Sequence, residues 1–306
     1  MTALESTQLL TELEPVVEAE LNRHMAMADE WMPHEYVPWS LGRDYDGTPW
    51  SPEESKLSSI ARTALEVNLL TEDNLPSYHR EIDAAFGREG AWGTWTGRWT
   101  AEEGRHGLAI RDYLLTTRGV DPVQLERDRM AQMQHGYHSN DKNIFQVMAY
   151  VSFQELATRI AHRNTGRYSN DPVCDRLLAR VATDENLHMI FYRNLVAATL
   201  EVDRSAMVQA IRDEVVGFQM PGTGIRDFQR KAVRIAQAGI YDLRIHHDEV
   251  LWPLLRHWGF FELDGLDGDA EKARTEVAEF VAALDTMATS FTAAREEREA
   301  KLAARG

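Results

Sequence analysis

Apolar residues recur every three or four positions over long stretches of this chain, the period of a helix with one buried face. Only 10 prolines and 19 glycines interrupt its 306 residues. The pattern predicts helices over residues 7–27, 55–70, 75–86, 95–117, 122–134, 143–164, 172–200, 203–219, 225–239, 242–258 and 270–304. No run shows sustained alternation of β-branched residues around a hairpin turn, so the expected class is all-α. The breaks carry turn chemistry: Gly119 with Pro122, Asn170 to Pro172, and Pro221 with Gly222 and Gly224. Residues 1–265 read as one helical domain with no linker. Residues 266–306, charged and alanine-rich, read as a helical extension that packs on that domain or frays from it.

Composition narrows the function classes. With 43% hydrophobic and 27% charged residues the chain can bury a normal core, which excludes general disorder. A net charge of -16 repels nucleic acid and anionic membrane surfaces, so a general nucleic-acid binder is excluded. Cys174 is the only cysteine; any metal must therefore be held by histidines and carboxylates. The first residues mix acids with apolar residues, unlike a signal peptide, and a cytoplasmic location is expected. Apolar runs are cut by Gln154, Glu155 and Arg159 or by Glu185 and His188, leaving no membrane span.

The chemistry lies in two tetrapeptides of the form Glu-x-x-His, Glu103 to His106 and Glu185 to His188. On a helix, residues three apart share a face, so each pair can aim an oxygen and a nitrogen at one point. About one such match is expected by chance in a chain this rich in Glu and His. The surroundings repeat as well. An acid precedes each motif's Glu, Glu102 in one and Asp184 in the other. Glu72 lies 31 residues before Glu103, and Glu155 lies 30 before Glu185. Four carboxylates and two imidazoles from four helices suit two iron or manganese ions bridged by shared carboxylates. Glu155 is the most telling member, because it interrupts the apolar run IFQVMAYVSFQELATRI, where Arg159 is the only other charge. A buried ionised Glu is costly unless a cation meets it. The competing reading pairs Glu155 with Arg159 and leaves the other residues solvated; it explains any single position but not the matched spacing of all six.

These segments resemble the soluble acyl-carrier-protein (acyl-ACP) desaturases typified by the plastid stearoyl enzyme. The resemblance runs through WTAEEGRHG (99–107), LTEDNLPSY (70–78), SFQELATRIAHRNT (152–165) and ATDENLH (182–188), within residues 10 to 260. It implies a ferritin-like four-helix bundle with a di-iron site, wrapped by further helices, as a homodimer. By position, Glu72, Glu103, His106, Glu155, Glu185 and His188 match the six iron ligands, Glu103 and Glu185 as bridges. Thr158 matches the active-site threonine near the oxygen-binding face. Trp31 and Asp184 match residues thought to pass electrons to the iron through His106. The stretch between Glu72 and Glu103, which holds Trp92, Trp95 and Trp99, is shorter than in the plant enzymes, so the neighbouring cavity is expected to differ.

The implied reaction is O2-dependent: two electrons from a ferredoxin reduce the iron pair, dioxygen is consumed, and two hydrogens leave the acyl chain to give water and a cis alkene. No side-chain acid or base removes hydrogen from an unactivated methylene, so the metal must supply the oxidant. The acyl chain would arrive on acyl carrier protein, an acidic partner. Arg226, Arg230 and Arg234 recur every four residues with Lys231 beside them, and one helix could display them as a basic docking stripe. Three alternatives stay open. A ribonucleotide reductase radical subunit shares the ligands but carries a tyrosine where this chain has Ile110. A ferritin-type iron store would be about half this length. A related di-iron oxygenase acting on a carrier-bound intermediate shares every motif.

Overall fold

The computed structural model describes residues 3–139, 142–222 and 224–304; the outermost residues of the expected domain and extension, 1–2 and 305–306, lie outside them. Its α-helices are α1 (Ala3–Met27), α2 (Ser59–Glu72), α3 (Leu75–Phe86), α4 (Gly90–Thr116), α5 (Pro122–His135), α6 (Ile144–Tyr168), α7 (Pro172–Val202), α8 (Arg204–Gly217), α9 (Phe228–Gln237), α10 (Leu243–Ile245), α11 (Trp252–His257) and α12 (Gly268–Ala303). No strand occurs among the described residues, and the class is all-α. No helix is long and apolar enough to cross a membrane.

Most helix starts are written in local capping chemistry. Ser58, Asp121, Asp171 and Asp203 each accept a backbone N–H of the first turn, and Pro122 and Pro172 occupy positions where no N–H is needed. Asn143 and Gln146 form a reciprocal box at the head of α6. Where the structure departs from the periodicity, the cause is tertiary or stereochemical. Helix α4 begins at Gly90, five residues before Trp95, because Glu14 of α1 caps it from outside, its Oε1 accepting the Ala91 N–H at 2.6 Å. Helix α2 starts at Ser59 instead of residue 55, since a short 3-10 turn at Pro52–Glu54 precedes the Ser58 cap. The segment expected as one helix over 242–258 is interrupted by a π turn at His246–Leu251. Pro253 follows it and lacks the N–H that an α-helix would bond to Glu249.

Helices α6 and α7 form a hairpin joined by Ser169 to Asp171. Gly166 permits their close approach, because a Cβ there would lie 3.2 Å from Asp175 Cα and Leu178 Cβ. Helices α2 and α4 pack beside this pair, α1 and α8 cover it from outside, and α12 packs against α8 and α10. Apolar side chains of α1, α4, α6, α7, α8 and α12 make one large cluster, and those of α2, α4 and the start of α7 make a second that includes Trp31. Helix α12 enters the large cluster through Ala270, Ala273, Val277, Val281 and Leu284, while its last turns are exposed.

Candidate metal centre

Four helices each deliver part of the site. Glu72 is the last residue of α2, Glu103 and His106 lie on α4, Glu155 on α6, and Glu185 and His188 on α7. All six are buried. Their donor atoms form two overlapping groups, Glu72, Glu103, His106 and Glu185 in one and Glu103, Glu155, Glu185 and His188 in the other, each within 4.8 Å. Glu103 and Glu185 belong to both groups, the positions a bridging carboxylate must occupy.

The electrostatics favour cations here. Glu103 Oε1, Glu155 Oε2, Glu185 Oε1, His106 Nδ1 and His188 Nδ1 are buried without a hydrogen-bond partner. His188 Nδ1 approaches Glu103 Oε1 to 2.9 Å and His106 Nδ1 approaches Glu185 Oε1 to 3.3 Å. Buried polar atoms are normally satisfied, and five orphans converging on one volume mark missing positive charge. Burial, followed by the charge of Glu185, pushes the Glu155 carboxyl well above its usual range. Burial opposes charging of His106 and His188, but the surrounding carboxylates outweigh it and raise both. The oxygen and imidazole donors, their sharing and their unpaired atoms fit two iron or manganese ions.

Outward-facing atoms are fixed by hydrogen bonds, as metal ligands require. Trp99 Nε1 donates to Glu155 Oε1 at 3.0 Å. His162 Nε2 meets Glu72 Oε1 at 2.8 Å, and its Nδ1 lies 3.2 Å from Asn68 Nδ2. Thr158 Oγ1 lies 2.9 Å from Glu185 Oε2 and 3.0 Å from the carbonyl oxygens of Gln154 and Glu155, so its single proton is shared between ligand and backbone.

The acids that precede each motif's Glu exchange partners. Asp184, beside Glu185, meets Nε2 of the other motif's His106 at 3.4 Å, and Glu102, beside Glu103, meets Nε2 of His188 at 2.9 Å. Trp31 Nε1 donates to Asp184 at 2.7 Å, and its ring lies parallel to His106 with centroids 6.4 Å apart. His24 Nε2 completes the second cluster, 2.9 Å from Glu102. His24, His162, Asn68 and the arginines around these acids escaped the sequence reading, and Trp99 entered it only as a residue near the cavity. His162 carried a detectable signal, since it continues the Glu155 and Thr158 stripe at helical spacing; His24 carried none.

Two cavities meet at the centre, sharing Thr71, Glu72 and Thr158. The outer one lies between α2, α6 and α9, with Val67, Ala161, Phe228, Ala232 and Ile235 in its wall. The inner one continues past Trp99, Ile82, Val151 and Val147.

The expected basic stripe is not carried by one helix. Arg226 precedes α9 and pairs with Asp128 at 3.2 Å, because the turn through Asp227, a residue in the left-handed conformation, delays the helix to Phe228. Arg234 is tied to Ser59 and Thr63, and Arg230 to Asp227 while remaining largely exposed. Lys231 lies near Glu66, whose carboxyl burial raises and Lys231 lowers in turn.

Comparison with known proteins gives a consistent result. The family described as fatty acid desaturase matches residues 5–305. The chain is 48% identical over 312 residues to a Mycobacterium tuberculosis protein named acyl-[acyl-carrier-protein] desaturase DesA1, covering 97% of this chain and 92% of that protein. It is 32% identical over 253 residues to stearoyl-[acyl-carrier-protein] 9-desaturase 6 of Arabidopsis thaliana, covering 77% of this chain and 63% of that protein. The X-ray structure of acyl-ACP desaturase DesA2 from M. tuberculosis superposes with a TM-score of 0.70 at 30% identity, covering 87% of this chain and 99% of that one.

Proposed function

The chain belongs to the fatty acid desaturase family, and from that premise we propose that it forms a double bond in an acyl chain carried on acyl carrier protein, using two carboxylate-bridged iron ions, dioxygen and electrons from a ferredoxin-type donor. Its relatives are named acyl-ACP desaturases, so the enzyme class is oxidoreductase. The observation that carries the proposal is the convergence of six buried ligands, with Glu103 and Glu185 common to both groups, onto the junction of two apolar-walled cavities.

When bound, two iron ions with dioxygen supply the oxidant that removes hydrogen from unactivated carbon. The remaining work falls to the chain. Glu72 and Glu155 each close one end of the site, and Glu103 and Glu185 span it. His162 and Trp99 hold the outer oxygens of Glu72 and Glu155, fixing the carboxylates in place. The outer cavity would receive the acyl chain beneath α9, and Thr158, which lines both cavities, stands where its reacting carbons would lie. Arg230 and Lys231 lie on α9, whose Phe228, Ala232 and Ile235 line that cavity, and would offer positive charge to an acidic carrier. Trp31, Asp184 and His106 are joined by hydrogen bonds and would carry electrons toward the metal.

Anaerobic reconstitution with Fe2+ should give two metal ions per chain, and incubation with acyl-ACPs, reduced ferredoxin and oxygen should give a cis alkene. Fewer than two ions would overturn the ligand assignment. Two ions with a hydroxylated product would instead indicate an oxygenase of the same architecture.

A further inference from the structure

The inner cavity does not end in solid core. It starts at Glu72, Glu103 and Thr158 and runs along α6 toward Val147, eleven residues of helix or about 16 Å. At its far end stand Tyr137, Lys142, Tyr150 and Pro221, and the same four residues line a separate recess on the other side, whose remaining wall includes Gln132, His135 and Gln219. These four residues form a wall common to both cavities, with Glu81 and Ser139 beside them on the inner side.

That wall is organised. The rings of Tyr137 and Tyr150 are stacked, with centroids 6.3 Å apart and planes 17° from parallel. Tyr78 meets Tyr137 edge-on at 5.2 Å. Lys142 Nζ lies 5.2 Å from the Tyr150 ring and is anchored 2.7 Å from Glu214. The hydroxyls of Tyr150 and Tyr78 donate to the carbonyl oxygens of Gln219 and Pro221, at 3.1 and 3.3 Å. An acyl tail advancing from the metal centre therefore meets aromatic rings, and beyond them imidazole and amide groups that offer a methylene chain nothing.

We propose that the Tyr137–Tyr150 pair is a partition that sets how much acyl chain can lie beyond the reacting carbons. The inference rests on the desaturase reading above. Tyr150 is fixed on α6, whereas Tyr137 sits in the connection after α5, just beyond Gly136, whose φ of +70° turns the chain. Removing the Tyr137 ring should join the inner cavity to the recess without deleting a helix residue.

The test is a series of acyl-ACPs lengthened one carbon at a time at the end remote from the carrier. In the wild-type enzyme kcat/KM should fall about tenfold or more once an added methylene meets the partition, the usual scale for one misfitting methylene. Tyr137→Ala should move that limit to longer chains by several carbons, at unchanged metal content and melting temperature, while Tyr137→Phe, which keeps the ring, should retain the wild-type limit. An unchanged length profile in Tyr137→Ala, or an equal shift in Tyr137→Phe, overturns the proposal. If Tyr137→Ala melts early, Tyr137→Leu is measured in its place, with the same two outcomes. A wild-type enzyme that desaturates no acyl-ACP would refute the desaturase reading instead. Calorimetric binding of the same series to the metal-free protein then still decides the partition: Tyr137→Ala must extend the longest chain bound, and an identical limit overturns it.

Discussion

The two imidazoles of the centre are copies of one motif placed in opposite surroundings. His106 backs onto Asp184, which also accepts Trp31 Nε1 and Arg105 and is paired with Arg180. Both guanidinium groups lie over the Trp31 ring, and Arg180 reaches 4.0 Å from the exposed Asp29. His188 backs onto Glu102, which meets His24 and accepts Arg98. His24 stacks on His188 at 5.7 Å and stands edge-on to Trp95, itself stacked on Phe191 at 3.6 Å. Beyond Asp184 lie Trp31 and two arginines, one of them reaching the exposed Asp29; beyond Glu102 lie a second imidazole and aromatic core, although Arg98, its side chain 32% exposed, reaches the surface there too. The expectation from the proposed function is that electrons enter beside His106 and that His188 only holds geometry. Arg105 lies between them, 3.2 Å from Asp184 and 3.7 Å from Glu102.

The largest effects should come from the residues that join the halves. Glu103→Ala or Glu185→Ala removes a ligand from both groups, and iron analysis after anaerobic reconstitution should fall from two ions per chain to well below one, with activity lost. Glu72→Ala and Glu155→Ala each touch one group and should leave about one ion. Equal losses in all four variants would mean that the halves are not separable.

Next in size is the exchange of the backing acids. Burial opposes the charge of Glu102 and Asp184, but their histidine and other partners outweigh it and hold both carboxyls below the usual range. Both are thus ionised at neutral pH, and their stabilisation fades only as pH falls below about 4, through the depressed folded value. Glu102→Gln should weaken iron binding about 10- to 100-fold, the usual cost of losing a carboxylate behind a ligating histidine. Asp184→Asn, whose contact to histidine is longer, should cost less iron but slow reduction by ferredoxin far more than reduction by dithionite. Stopped-flow reduction separates the two; equal slowing of both reductants in Asp184→Asn would remove the electron path from that side.

The helices and the six side chains that converge in the buried site were legible because local signals carry them. Capping residues mark the helix starts, and an acid such as Glu155 inside an apolar run has few explanations. The asymmetry was legible on one side only, through the resemblance that groups Trp31 and Asp184 with His106; the meeting of His24, Glu102 and His188 was not. Glu102 and Asp184 look equivalent in sequence, each next to its own motif's Glu, yet each bonds the other motif's histidine across the bundle. What distinguishes them, His24 and Trp31, comes from the end of α1 and the segment after it, more than 70 residues from Glu102 and 150 from Asp184. No local pattern reports such a meeting. The early start of α4 failed for the same reason, since its cap is Glu14 on another helix.

The finest discrimination comes from one substitution made on both sides, Trp31→Phe and His24→Phe. In each case an aromatic ring remains to stack on the ligating histidine, and one polar contact to the backing acid is lost. Asp184 keeps Arg105 and Arg180, and Glu102 keeps His188 and Arg98, so neither acid is left bare. Loss of stability should be about 2 kcal/mol for Trp31→Phe, roughly half from the hydrogen bond and half from the smaller ring in a buried site under two guanidinium groups. It should be smaller still for His24→Phe, because His24 Nδ1 is already buried without a partner and its removal offsets part of the loss. The thermal shifts then differ only in size, and the kinetics carry the distinction. Trp31→Phe should slow ferredoxin-driven reduction and leave dithionite reduction unchanged, whereas His24→Phe should alter neither. If both variants slowed the ferredoxin step equally, the two histidines would be equivalent electron ports, and the difference between their surroundings would be one of packing alone.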